Sequence, residues 1–173
     1  MKKILGLVSS LTLIAGVCAA VLAFVDKLTA EPIAQMLQKK TFESAKAVMP
    51  PGVVSVELQE DSGVFLGKND AGEVVGYAVK GSDPGGYGGD IVLMVGFESD
   101  RKTVVCYRTL AAAETPGLGM KLNTPEFADQ FAGRRADSLK VKKDGGEIEA
   151  ITSATITSRA VCAAIADASA KLD

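Results

Sequence analysis

The chain opens on an apolar run. From Ile4 to Val25 (ILGLVSSLTLIAGVCAAVLAFV) there is neither a charged residue nor a proline. Wound as a helix, that stretch rises roughly 33 Å at about 1.5 Å per residue, enough to cross a hydrocarbon core of about 30 Å. A cleaved signal peptide is the competing reading, because Lys2 and Lys3 form a basic lead. The apolar run, however, continues through Val21–Val25, past the small cluster Cys18-Ala19-Ala20 where cleavage would fall. Val17 before Cys18 is also a poor match to a lipidation site. A retained anchor is the better expectation. Lysines before the span and a mixed flank after it (Asp26, Lys27, Glu31) orient the N-terminus to the cytoplasm and the remainder outside.

Beyond the span the period changes. Glu31–Val48 predicts a helix with Pro32 in its first turn and Ile33, Met36, Leu37, Ala45 and Val48 on one broad face. Pro50-Pro51-Gly52 stops it. Short β-rich runs follow at Val53–Leu58, Val64–Lys68, Val74–Val79, Ile91–Phe97 and Val104–Leu110, with hairpin chemistry at Asn69-Asp70-Ala71-Gly72. The five glycines of Gly81–Gly89 predict a loop that flexes or approaches something closely. A short helix is expected over Thr124–Ala132, with Thr124 as N-cap and Pro125 at N1. A final Ala-rich helix is expected from Thr157 or Ser158 to Lys171. Strands and helices around one sheet make an α+β fold, mainly antiparallel with flanking helices. The expected division is an anchor over 1–28 and one domain over 29–173.

Composition narrows the chemistry. Net charge is −2, and the part after the span has no basic block longer than two residues, so nucleic-acid binding has no electrostatic footprint. The chain has no histidine, which excludes imidazole acid–base chemistry and imidazole metal sites. Of three cysteines Cys18 lies in the span. Cys106 and Cys162 stand in apolar contexts, where buried thiols are commoner than a pair, and no zinc or iron–sulfur spacing exists.

The informative segment is Glu149-Ala150-Ile151-Thr152-Ser153-Ala154-Thr155-Ile156-Thr157-Ser158-Arg159, five hydroxyls in seven positions before a helix. Helix capping needs one such hydroxyl. An anion site at the helix start is the richer reading, since free N–H groups and the dipole favour a phosphate there. Pattern alone leaves both open, with capping the plainer.

The segment resembles the flavinylation motif of the FMN-binding domain family, Asp-x-x-Ser/Thr-Gly-Ala-Thr, whose last threonine receives FMN through a phosphoester. Glu149 stands for the acid, Thr152 for the first hydroxyl, Ala154 for the alanine and Thr155 for the acceptor. Ser153 replaces the usual glycine and would be strained if the position demands a positive φ. Glu114-Thr115-Pro116-Gly117-Leu118-Gly119 is similar to the family's ETPGLG loop, and Gly86-Tyr87-Gly88-Gly89 to its glycine-flanked strand entry. Within the family, length and single anchor most resemble the G subunit of the Rnf complex. The related C subunit of sodium-pumping NADH:quinone reductase comes second.

That resemblance implies covalent FMN on Thr155, with Thr152, Ser153, Ala154 and Thr157 around its phosphate. It implies Glu114, Thr115, Leu118, Gly119 and Tyr87 near the ring. Lys121 is weighed as a phosphate or ribityl neighbour against a plain exposed lysine. It further implies a flavin transferase as maturation partner and an electron relay in the cytoplasmic membrane. Such a relay would sit within a complex coupling ferredoxin:NAD oxidoreduction to ion transport, with no turnover from this chain alone. Two other readings stay open: a stand-alone tethered electron-transfer flavoprotein, and a binding module without flavin.

Overall fold

The computed structural model describes residues 2–172. Its first helix, α1, runs Lys2–Val48 without a break. By contact the chain divides into two compact units, Met1–Lys40 and Thr41–Asp173. The first is helical throughout its described residues. Within the described stretch Gly6–Val48 an 18-residue window reaches a mean hydropathy of 2.4, long and apolar enough to span a membrane. The prediction of a second helix starting at Glu31, with Pro32 in its first turn, is therefore corrected: Pro32 lies inside α1. Proline removes one backbone donor there, and the turns on both sides carry the helix through that single loss.

The second unit is built on a five-stranded antiparallel meander: β1 (Ser55–Gln59), β2 (Val64–Lys68), β3 (Val74–Gly86), β4 (Gly89–Glu98) and β5 (Val104–Ala111), in the order β1-β2-β3-β4-β5. The fold is α+β. The predicted turn after β2 forms, with Asn69 Oδ1 accepting from the N–H groups of Ala71 (3.0 Å) and Glu73 (2.9 Å), and Gly72 at φ +81°.

The Gly81–Gly89 stretch is strand rather than loop. β3 and β4 pair from Gly76↔Glu98 to Gly86↔Gly89, leaving only a tight turn through Tyr87 and Gly88. Its glycines serve close packing. A Cβ on Gly81 would overlap the Ala164 carbonyl oxygen of the last helix, and one on Gly88 would overlap that of Ala113.

The sheet is covered on both faces, and alternation along β4 divides its side chains. Ile91, Leu93, Val95 and Phe97 are fully buried with Ala160, Val161, Ala164, Ile165 and Ala168 of α3 (Thr155–Ala170). Met94 joins Phe65 and Ala78 under Ala45 and Val48, the end of α1. Each fully buried Ile, Leu or Phe contributes about 1.5–3 kcal/mol. A register shift between Gly96 and Phe97 lets both Val104 and Tyr107 of β5 reach the α3 side. It leaves Cys106 on the α1 side, away from Cys162, and all three cysteines are free.

Between β5 and α3 the chain has little regular structure. The helix predicted over Thr124–Ala132 is α-helical only at α2 (Pro125–Ala128), then tightens to a 3-10 turn at Asp129–Phe131. Pro125 holds N1 as expected. Thr124, however, donates its hydroxyl to the Lys121 carbonyl (2.8 Å) instead of capping.

Candidate functional site: a cleft at the mouth of the last helix

Three loops meet at the N-terminal end of α3. The β3–β4 turn brings Tyr87, the loop after β5 brings Glu114, Thr115, Leu118 and Gly119, and the helix entry brings Ser153, Ala154, Thr155 and Thr157. Together with Ile156 they line a cleft of about 590 Å³. That volume is within the range of about 300–1,000 Å³ typical of small-molecule sites. Nine of the ten residues singled out from the sequence therefore share one hollow. Thr152 does not. It is exposed and lines a separate hollow of about 240 Å³ with Glu149 and Lys121, itself an exposed lysine. The cause is the reversal of the chain at Ser153, which sends its two neighbours to opposite sides.

That reversal carries a positive φ at Ser153, +63°. The position does demand the left-handed region where the related motif has glycine. The next residue, Ala154, is the N-cap and has no side-chain acceptor for the first turn of α3, which begins two or three residues earlier than predicted. The hydroxyls divide between different jobs instead. Ser158 is buried, donating to the Ala154 carbonyl (2.9 Å) and accepting from Ile151 N–H (3.0 Å). Thr157, also buried, donates to Glu114 Oε2 (3.0 Å). Thr155 is half-buried at the cleft edge, its Oγ1 accepting from Lys143 Nζ (3.2 Å).

Glu114 is the polar floor. It is 6% exposed, and its other oxygen accepts from Gly88 N–H (3.4 Å). The fit around it explains one glycine: a Cβ on Gly119 would overlap Glu114 Oε2, whereas one on Gly86 would first overlap the Gly89 carbonyl oxygen. Above this floor the rim is apolar and open: Tyr87 is 73%, Ile156 49% and Leu118 42% exposed. A cleft with a hydroxyl and an ammonium at one edge, an apolar rim and a buried carboxylate suits a ligand that is flat and apolar in one part and anionic in another. FMN has that character, and the donor set fits it.

Comparison with known proteins agrees. The FMN-binding domain family matches residues 86–170. The G subunit of an ion-translocating oxidoreductase complex from Methanosarcina acetivorans is 31% identical over 95% of this chain and 92% of its own length. The chain belongs to this family of G subunits. Its counterpart from Shewanella baltica is 34% identical over 91% of this chain and 84% of its own. The G subunit of the Na(+)-translocating ferredoxin:NAD(+) oxidoreductase complex of Acetobacterium woodii is 32% identical, over 93% and 86%. The crystal structure of Shewanella oneidensis NqrC shares the fold, with a TM-score of 0.50, 20% identity and coverage of 72% of this chain and 65% of that one.

The matched FMN-binding segment opens at Gly86, where the β3–β4 turn begins, and closes at Ala170, the end of α3. Two walls of the cleft thus come from the first residues of the segment and from its last element. Sequence reasoning missed Lys143 and Ile156 among the residues around Thr155. Lys143 lies in a run of charges with no motif of its own; Ile156 was readable only as the apolar member of the hydroxyl cluster.

Proposed function

We propose that this chain is the electron-relay subunit of an Rnf-type complex, carrying FMN as a phosphoester on Thr155. The anchor is residues 1–28, with the N-terminus in the cytoplasm. The domain over 29–173 hangs from the outer face of the cytoplasmic membrane among the other subunits. The observation that carries this reading is the meeting of three separate motif stretches, around Tyr87, Glu114 and Thr155, at one cleft.

Bound FMN supplies reversible electron transfer, and the protein supplies its position and surroundings. Thr155 offers its oxygen as the point of attachment and performs no catalysis itself. Thr157 and Gly88 hold the Glu114 carboxylate in place beneath the cleft. Leu118, Ile156 and Tyr87 present apolar surface that sheds water when a flat group covers it. A covalent link suits a compartment outside the cytoplasm, where a dissociating cofactor would be lost.

The test is the intact mass of the chain after co-expression with a flavin transferase. The expected gain is one FMN less one water, abolished in Thr155→Ala. An unmodified wild-type chain under those conditions removes the relay and leaves a tethered binding module. Co-purification from native membranes then separates a complex subunit from a lone carrier.

A further inference from the structure

We infer that Lys143 is the positioning cation of the attachment site, its ammonium orienting the Thr155 hydroxyl and lying where the phosphate charge comes to rest. The inference depends on the reading that Thr155 carries the flavin phosphoester. It begins with the contact from Lys143 Nζ to Thr155 Oγ1 at 3.2 Å, made by a residue twelve positions earlier in the chain.

A surface lysine touching a neutral hydroxyl means little alone, since its four-carbon stem samples many rotamers. Here the backbone beneath it is pinned. Lys143 is the middle residue of the 3-10 turn Lys142–Asp144, and both neighbours are tied down. Lys142 Nζ bonds Glu149 Oε2 at 3.0 Å. The carboxylate of Asp144 takes a two-pronged contact from Arg159, Nε and Nη2 each at 2.7 Å. The turn also closes on itself. Lys142 N–H donates to the Ile148 carbonyl (2.8 Å), Gly146 N–H to the Val141 carbonyl (3.1 Å), and Gly145 sits at φ +82°. Arg159 lies four residues after Thr155, so both share one face of α3. The Asp144–Arg159 clamp therefore fixes the turn over the face that displays the acceptor.

Charge placement points the same way. The cleft's buried carboxylate, Glu114, bonds Thr157, two positions from Thr155 and so on another side of the helix. The site is polarised, with Glu114 on one side of the entry and Lys143 on the other. A phosphodiester at Thr155 retains one negative charge on its non-bridging oxygens, one bond beyond the ester oxygen that Lys143 contacts.

In the attachment the Thr155 Oγ–phosphorus bond forms and the phosphoanhydride bond of a flavin dinucleotide donor breaks. Adenylate leaves, and the hydroxyl proton passes to the transferase or solvent. Nothing is oxidised or reduced. Lys143 donates to the oxygen and takes no proton, so it positions and does not catalyse.

The experiment uses the full chain, purified unmodified in detergent, with limiting flavin transferase, FAD and magnesium, and follows mass gain over time. K143Q is expected to slow the gain about fivefold, K143R to return it to within about twofold of wild type, and D144N to fall between. Raised salt should shrink the difference between wild type and K143Q. Melting curves run alongside; Lys143 is exposed, so both variants should fold, and K143R decides if K143Q melts low. Equal rates for wild type and K143Q, with T155A bare, overturn the role of Lys143 while sparing the site. Equal slowing in K143Q and K143R overturns the role of charge. A wild-type chain that gains no mass overturns the attachment reading and this inference together.

Discussion

Replacing Ser153 with glycine isolates the energy held in the turn before α3. Ser153 is exposed, so the change removes no buried contact, and its φ of +63° is the conformational demand being tested. A side chain in the left-handed region costs about 1–2 kcal/mol. Glycine at that position restores this but loses about 0.4–1 kcal/mol through the greater freedom of its unfolded chain. The net gain is about 0.5–1 kcal/mol, or about 2–4 °C in Tm for a domain of this size. The assay is a thermal melt of the full chain in detergent, read by circular dichroism, with Ser153→Ala as control. Alanine keeps the Cβ and should bring no comparable gain. A glycine variant that melts lower than wild type, or an alanine variant that gains as much, refutes the claim that the backbone is strained here.

Thr157→Val keeps the shape of a fully buried side chain but deprives Glu114 of its 3.0 Å donor. A cost of about 1.5–3 kcal/mol is expected in urea unfolding, because the deprived group is a buried carboxylate. The pH dependence of stability should reveal Cys162. Burial raises its thiol from 9.0 to about 12. Its folded-state preference for the neutral thiol is then fully present below pH 9 and is lost as pH climbs from 9 toward about 12. Urea midpoints measured from about pH 8 to 11 should fall more steeply for wild type than for Cys162→Ala, and equal slopes would count against the burial effect.

Much of the fold is legible in the sequence because its strands alternate. Val64–Lys68 is found to the residue, and β4 is found apart from its ends. What escaped has identifiable physical causes. The glycines of Gly81–Gly89 imitate a loop, yet Gly81 is there because a helix carbonyl leaves no space for a side chain, a fact local pattern does not hold. Pro32 imitates a helix start, but one missing donor does not end a helix extended on both sides. For the site, the ETPGLG and hydroxyl segments announce themselves. The direction each residue faces does not, because a single left-handed residue at Ser153 turns Thr152 away from Thr155. Lys143 was invisible for a related reason: its contact joins residues twelve apart, on a turn whose Asp144 pairs with Arg159 fifteen positions on.

The most direct test of flavin attachment is fragment mass spectrometry of the peptide Asp144–Arg159, which trypsin releases from chain isolated out of native membranes. That peptide contains Thr152, Ser153, Thr155, Thr157 and Ser158. The expected result is one FMN phosphoester, located on Thr155, with the other four hydroxyls bare. Recovery of the peptide without flavin from cells that possess a flavin transferase, or flavin on any of the other four, contradicts it.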